Sequence, residues 1–376
     1  MPRARVRHET IVLDDGFRVG VTRVGSRYGA PLVFLHGLGV SATAYTEMLE
    51  LLTGRGFSVT ALDAPDHGGT DSLPWGHTVA DMVEITRRAL DALGIRAAVM
   101  VGHSMGGAMV AEFAAKHPER ALAAILLDAA AGEDHHDAIR IDASPTVALR
   151  AFQFFARGWA DVIGDGVRAW RVRSFKERRQ FSRLLRHSVS GPNCMRAVYA
   201  LMRHDTAPLL KAMRDKAVPT VIVHGTCDGI VPVLAGASAA KLSGGKLCLV
   251  QHGYHSWMLS EPKLGVNAIN TAVINAVAVR DGRKRLDDGS GRDAGERWWP
   301  HSEYLGRRLA CGHGPEWCRE LGCERGQRSA DVPRPVLYCE RGSGAAGCAR
   351  PDTPRSAAHR GRRLRRPRQV SLIPHG

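Results

Sequence analysis

Several features that mark particular protein classes are missing from this 376-residue sequence. It has no uninterrupted apolar run of the roughly 20 residues that a membrane-spanning helix needs. The N-terminus is basic but has no apolar segment and no small-residue cleavage site, so it does not match a secretory signal. The first 280 residues contain three scattered cysteines, Cys194, Cys227 and Cys248, which do not make a disulfide framework and favour a reducing compartment. We therefore expect a cytoplasmic protein without a membrane span.

The excess of positive charge is concentrated near the C-terminus. The formal net charge is +15, and residues 281–376 account for +8 of it, with 20 Lys and Arg against 12 Asp and Glu. This tail has five of the eight cysteines and almost no apolar periodicity, a composition that predicts low order. A shifted reading frame in GC-rich DNA would produce a similar composition.

The tail contains two patterns that resemble binding sites, one for zinc and one for nucleic acid, but neither has the spacing or composition typical of such sites. Its cysteines and histidine at Cys311, His313, Cys318 and Cys323 lack the Cys-x2-Cys spacing typical of structural zinc sites. The arginine run at 362–368 has no interleaved aromatic residues, so a solvated segment is favoured over a nucleic-acid site. We expect neither a metal nor a nucleic-acid partner.

Most of the remaining chain alternates short buried strands with helical segments. Two alternating strands joined by an Asp-Gly turn span residues 8–25, and continuous apolar runs such as 31–37 and 97–104 are each followed by a helical pattern. This order predicts an α/β fold, with a mostly parallel central sheet covered by helices on both faces.

One long segment interrupts the alternation of strands and helices. Residues 132–205 contain helical stretches rich in arginine and aromatic residues but no strand of the buried type. We therefore predict a discontinuous core at 1–131 and 206–280, a helical insertion at 132–205 and a low-order tail at 281–376.

The sequence from Gly102 to Gly106 contains the strongest candidate site. A Gly-x-Ser-x-Gly pattern is weak by itself, but here it lies between a strand and a helix, where a tight turn exposes the serine hydroxyl. The N–H of Met105 would lie at the helix N-terminus, where free donors and the dipole favour an anion. Ser104 is therefore the predicted nucleophile.

Candidates for a base and an acid follow two later strands. Asp228 lies in HGTCDGIVP and His255 lies in GYHSWMLSEP. The carboxyl ends of parallel strands meet at one edge of a sheet, and the order Ser, Asp, His is typical of one fold. Asp128 also follows a strand, and His252 precedes His255 by three residues, so both stay as alternatives.

These motifs, with HGLG at 36–39, resemble the α/β-hydrolase superfamily over about Glu9 to Val279. The resemblance implies a capped, esterase- or lipase-like serine hydrolase with the α/β-hydrolase fold, and residues 132–205 would be its cap. It implies a catalytic set of Ser104, Asp228 and His255. The spacing from His255 to Pro262 fits the family pattern.

Further roles follow from the same resemblance. The backbone N–H groups of Leu38 and Met105 would form the oxyanion hole, and no metal or organic cofactor would be needed. Candidates for the substrate pocket are His36, His103, Phe155 and Trp159, although packing roles are the simpler interpretation of the two histidines. The sequence departs from the family at Tyr254, where glycine is common, and at Ser260, where glutamate is frequent.

The expected substrate is a small-molecule ester with an apolar acyl group, cleaved through an acyl-enzyme. The same residues could hydrolyse a C–C bond, a lactone or an amide, or carry out perhydrolysis without a cofactor. The alternative from another class is a non-catalytic binding protein on a hydrolase scaffold. The sequence does not distinguish among these substrates, because the fold does not fix the substrate.

Overall fold

The computed structural model describes residues 5–133, 135, 189–287 and 336–339. These residues form a nine-stranded sheet in the order β1-β2-β4-β3-β5-β6-β7-β8-β9. The strands are β1 (Arg7–Val12), β2 (Arg18–Val24), β3 (Ala30–Leu35), β4 (Phe57–Leu62), β5 (Ala98–His103), β6 (Ala121–Leu127), β7 (Thr220–Gly225), β8 (Lys246–Gln251) and β9 (Val336–Cys339).

The sheet is parallel through its centre and antiparallel at its two edges. The strands from β4 through β3, β5, β6 and β7 to β8 pair in parallel. The β1–β2 hairpin turns at Gly16, where φ is +85°, and β2 then pairs antiparallel with β4. Every residue of β5 is buried, as expected for a central strand covered on both faces.

Helices cover both faces of the sheet. They are α1 (Thr46–Thr53), α2 (Val79–Ala92), α3 (Met105–Lys116), α4 (Cys194–Met202), α5 (Ala207–Asp215), α6 (Val233–Ser243), α7 (Trp257–Ser260) and α8 (Pro262–Asp287), with a 3-10 helix at Ala42–Tyr45 before α1. Among the described helices, none combines the length and apolar character that crossing a membrane requires.

The core consists of two hydrophobic clusters, one on each face of the sheet. In β3, Val33 and Leu35 belong to the cluster that contains α2 and α3, whereas Leu32 and Phe34 belong to the cluster that contains α1 and α8. Successive strand residues point to opposite faces, so a continuous apolar run supplies both clusters. The predicted α/β architecture is confirmed.

The segment boundaries differ from the predicted ones at two places. Helix α8 continues to Asp287, beyond the predicted end of the core at residue 280. In the predicted tail, β9 pairs antiparallel with β8. The rest of the tail, including the candidate zinc cysteines and the arginine run, lies outside the described residues.

The three cysteines of the first 280 residues differ in their bonding state. Cys248 is disulfide-bonded, whereas Cys194 and Cys227 are free. Cys248 lies opposite Cys339 in the β8–β9 ladder. The expectation that the three cysteines of the first 280 residues form no disulfide is therefore wrong for Cys248.

Candidate active site

Ser104 lies in a strained turn between β5 and α3. Its backbone has φ 53° and ψ −117°, a conformation that costs a non-glycine residue about 1–3 kcal/mol. Its N–H donates to the carbonyl of Leu127 at 3.0 Å, and its carbonyl accepts from the N–H groups of Gly107 and Ala130. These bonds to neighbouring elements hold the turn, so the serine hydroxyl is presented at the carboxyl end of β5.

Close backbone approach explains the two glycines of the motif. A Cβ on Gly102 would lie 2.1 Å from the carbonyl oxygen of Gly106. A Cβ on Gly106 would lie 2.2 Å from the carbonyl oxygen of Leu35 in β3. Neither obstacle is a flexible side chain, so only glycine fits these positions without a backbone shift.

The hydroxyl of Ser104, the ring of His255 and the carboxylate of Asp228 form a continuous hydrogen-bonded set. Ser104 Oγ lies 2.9 Å from His255 Nε2, and His255 Nδ1 lies 2.8 Å from Asp228 Oδ2. Ser104 is 8% exposed and His255 is 4% exposed. A carboxylate only accepts, so Nδ1 carries the proton and Nε2 can accept the serine proton.

The loop after β7 holds Asp228 in an ionised state. Its Oδ1 accepts the N–H groups of Ile230 at 2.8 Å and Val231 at 2.9 Å. Burial acts to raise the pKa of Asp228, but the charges and hydrogen bonds of His255 and its other partners outweigh burial and lower that pKa below its usual value.

Asp128, the alternative acid, lies beside Asp228 but has different hydrogen-bond partners. It follows β6, is fully buried, and accepts the Gly225 N–H at 2.7 Å and the Trp257 indole N–H at 2.6 Å. Burial and the neighbouring charge of Asp228 raise the pKa of Asp128 well above its usual value. These effects favour the neutral form of Asp128, and it is Asp228 that faces the imidazole.

The alternative base lies apart from this set. His252 is exposed on the loop after β8, and its N–H donates to the hydroxyl of Thr226 at 2.9 Å. Of the two histidines in the loop, only His255 faces Ser104 in the described structure.

The predicted oxyanion donors are the backbone N–H groups of Met105 and Leu38. The N–H of Met105 is at the first position of α3, where no intrahelical acceptor exists. On either side of Leu38, the N–H of Gly37 donates to Tyr45 Oη and that of Gly39 donates to His67 Nε2. In the described part of the chain, the N–H of Leu38 has no backbone acceptor.

The two histidines predicted as pocket candidates are buried instead. His36 Nδ1 donates to the carbonyl oxygen of Gly37 at 2.8 Å, and His36 Nε2 accepts the backbone N–H of Ala64 at 2.9 Å. His103 uses both ring nitrogens in a similar way. Burial lowers the pKa of His36 to about 4 and that of His103 to about 3. Both are neutral supports of the surrounding loops rather than pocket residues, and Phe155 and Trp159 lie outside the described residues.

The structure adds residues that the sequence did not single out. Tyr45 and His67 hold the strand-to-helix loop that contains Leu38, and no local motif marks either of them. Trp257 binds Asp128, and its position two residues after His255 is the only sequence signal for it. These contacts depend on elements that are distant in sequence.

One cluster of side chains could geometrically hold a cation. Ligand atoms of Asp128, His224 and Asp228 all lie within 4.8 Å of one another. Each group already has a protein partner, since His224 Nε2 donates to the carbonyl of Val231 at 3.0 Å and both carboxyl groups accept N–H donors. The donor set therefore fits a hydrogen-bonded network, and we assign no metal to it.

The comparisons with known proteins agree on one family and one fold. Residues 30–262 match the family model described as alpha/beta hydrolase fold. The chain is 52% identical over 270 residues to a protein named "Putative non-heme haloperoxidase" from Mycobacterium phage D29, covering 72% of this chain and 96% of the phage protein. It is 26% identical over 251 residues to a non-heme haloperoxidase of Rhodococcus erythropolis, covering 61% and 85% of the two chains.

Solved structures show the same fold at lower sequence identity. A thermophilic esterase from Thermogutta terrifontis superposes with a TM-score of 0.55 at 21% identity, over 72% of this chain and 99% of the esterase.

Proposed function

Because the chain belongs to the α/β-hydrolase family, we propose that it is a serine hydrolase that cleaves a carboxylic ester through an acyl-enzyme. One observation carries the proposal: Ser104 Oγ, His255 and Asp228 are joined by hydrogen bonds of 2.9 and 2.8 Å. A serine hydroxyl becomes a nucleophile only when a base removes its proton, and this geometry supplies one.

In the first step, His255 Nε2 takes the proton of Ser104 as Oγ attacks the ester carbonyl. Asp228 stabilises the imidazolium that forms and stays ionised itself. The negative charge moves to the carbonyl oxygen, where the N–H groups of Leu38 and Met105 receive it. Loss of one such donor typically costs a factor of about 10²–10³ in rate.

In the following steps, the tetrahedral intermediate collapses and the alcohol leaves with the proton from His255. Water then enters, His255 removes a proton from it, and the hydroxide attacks the acyl-serine. The acid leaves and Ser104 regains its proton. The original serine proton leaves with the alcohol and a proton from water replaces it on Ser104, so the enzyme is regenerated and the cycle consumes only ester and water.

The substrate class is proposed to be a small-molecule ester with an apolar acyl group. The aromatic residues of segment 132–205 support this choice, because aromatic side chains in an insertion over the site would bury an apolar acyl chain. The esterase found among the solved structures shares the fold and is consistent with ester chemistry.

A second candidate is perhydrolysis at the same residues, with hydrogen peroxide replacing water in deacylation. Peroxide would attack the acyl-serine, a percarboxylic acid would leave, and Ser104 would be regenerated. The name of the phage relative, which is 52% identical over 96% of its length, favours this candidate. The acyl-enzyme is common to both activities.

Labelling with a fluorophosphonate, followed by peptide mapping, tests the shared step. The full-length protein should be labelled at Ser104, and Ser104→Ala should not be labelled. Native protein that resists labelling and does not hydrolyse p-nitrophenyl esters of any chain length would refute the proposal and favour a binding protein. Adding hydrogen peroxide to a reacting ester and measuring the percarboxylic acid then separates hydrolysis from perhydrolysis.

A further inference from the structure

A chain of three buried polar groups runs beneath Ser104. Tyr45 Oη, at the end of the 3-10 helix, lies 2.8 Å from His103 Nδ1. His103 Nε2 lies 2.8 Å from the backbone carbonyl oxygen of His255. The N–H of Gly37 donates to Tyr45 Oη at 3.3 Å. The chain therefore connects the loops after β3, β5 and β8.

The direction of each hydrogen bond follows from the chemistry of the groups. A carbonyl oxygen only accepts, so Nε2 of His103 must carry a proton. Burial, with the nearby His255, lowers the pKa of His103 to about 3, which keeps the ring neutral and leaves Nδ1 bare. Tyr45 therefore donates its hydroxyl proton to Nδ1, and its oxygen is left to accept from Gly37.

Each of the three loops joined by these hydrogen bonds contains one component of the proposed active site: an oxyanion donor, the nucleophile or the base. Gly37 precedes Leu38, whose N–H is a proposed oxyanion donor, and His103 precedes Ser104. His255 is the proposed base, and the chain holds it by its backbone carbonyl rather than by its ring. One hydroxyl group thus connects nucleophile, base and oxyanion loop.

The geometry points to Tyr45 as a positioning residue that, through the His103 ring, keeps the oxyanion loop and the His255 loop in register around Ser104. This inference rests on the proposed function for its kinetic consequence. Its structural part, a neutral His103 with the proton on Nε2 and Tyr45 as donor to Nδ1, does not.

The surroundings of Tyr45 leave no substitute for its hydroxyl. The side chain is 1% exposed, and its ring packs against Phe34 at a centroid distance of 4.7 Å. On the other side, a Cβ added to Gly37 would lie 2.7 Å from His103 Nδ1. Because so little space separates the two loops, a water molecule cannot replace the lost hydroxyl without moving one of them.

Tyr45→Phe removes one oxygen atom and preserves the ring packing. The Gly37 N–H would lose its acceptor and His103 Nδ1 its donor, both in a buried site, so the two loops should shift relative to each other. We expect kcat for a p-nitrophenyl ester to fall about 10- to 100-fold, because small misplacements of reacting groups have effects of this size. KM should stay unchanged, because a side chain that is only 1% exposed offers almost no surface for a substrate to contact.

Tyr28→Phe provides the matched control. Tyr28 Oη accepts a hydrogen bond from Arg27 at 2.6 Å, and its side chain is 78% exposed on the loop between β2 and β3, so this variant also removes a hydroxyl partner but leaves the loops around Ser104 intact. This variant should keep native kcat. A folded Tyr45→Phe protein with native kcat, or one whose KM rises in step with the loss of kcat, would overturn the positioning role.

Nitrogen-15 NMR of histidine-labelled protein tests the structural part without relying on activity. The His103 signals, identified by their loss in His103→Gln, should show a protonated Nε2 and a bare Nδ1, and Tyr45→Phe should shift the Nδ1 signal. A proton on Nδ1 in the native protein would overturn the inference even if Tyr45→Phe does not fold. If Ser104 fails to react with the fluorophosphonate while the NMR result holds, the proposed function fails and the hydrogen-bond chain stands.

Discussion

Asp228→Asn is the substitution for which the structure predicts the clearest loss of activity. The carboxylate accepts two backbone N–H groups at Oδ1 and His255 Nδ1 at Oδ2. An asparagine can place only one oxygen there. Placing it at Oδ1 keeps two hydrogen bonds and turns the NH2 group toward His255 Nδ1, so this orientation is preferred.

The tautomer of His255 then reverses. With an NH2 donor facing it, Nδ1 must accept, and the ring proton moves to Nε2, which points at Ser104 Oγ. A protonated Nε2 cannot remove the serine proton. In a serine protease the corresponding change lowers kcat by about 10⁴, and a loss of that size corresponds to about 5.5 kcal/mol of activation free energy. We expect a similar loss in kcat for ester hydrolysis, with KM little changed.

Asp128→Asn is the matched control. Burial and the charge of Asp228 favour the neutral form of the Asp128 carboxyl, and a neutral amide matches that form. One of its two N–H partners, Gly225 or Trp257, loses an acceptor, which should lower the free energy of unfolding by about 1–3 kcal/mol while kcat stays within about tenfold of native. Initial rates with a p-nitrophenyl ester and chemical denaturation measure the two effects. If Asp128→Asn loses about 10⁴ in kcat and Asp228→Asn does not, the assignment of the acid is wrong.

Three other predictions concern the fold around the site. Gly106→Ala places a Cβ 2.2 Å from the carbonyl oxygen of Leu35, so it should lower both the thermal midpoint and fluorophosphonate labelling of Ser104. Gly191→Ala, with open space around it, should change neither. Equal thermal midpoints for the two variants would contradict this prediction. Burial lowers the pKa of His67 and His103 to about 3, so below pH about 6.5 the unfolded chain binds more protons than the folded protein. The free energy of unfolding should therefore fall by about 1.4 kcal/mol per pH unit for each histidine as the pH drops toward 4. Denaturation midpoints that match at pH 7.5 and pH 5 would refute this prediction. A chain that ends at Asp287 keeps every proposed catalytic residue and should keep native kcat, and loss of ester hydrolysis in a folded truncated protein would show that the tail contributes to the site.

Local patterns predicted much of this fold because they reflect local physics. The continuous apolar run that becomes β3 supplies both hydrophobic clusters, and that requirement is visible in sequence. The Gly-x-Ser-x-Gly turn was also predictable, because steric limits at Gly102 and Gly106 restrict those positions to glycine.

Choices between similar candidates needed the tertiary structure. Asp128 and Asp228 both follow buried strands, and the two carboxyl groups differ only in their neighbours: His255 faces Asp228, while Trp257 binds Asp128. The pairing of β9 with β8 brings together segments nearly 90 residues apart in sequence, and no periodicity in the tail indicates it.

The sequence alone determined the alternation of buried strands and helices, the strained turn at Ser104 and the order in which the acid and base candidates follow their strands. These features depend on side-chain size, apolar spacing and glycine, which act over a few residues. Only the tertiary structure decided which carboxyl group meets His255, that His36 and His103 are buried supports, and that Tyr45 connects three loops. Such contacts depend on distances between segments that are far apart in the chain, and those distances exist only once the sheet has formed.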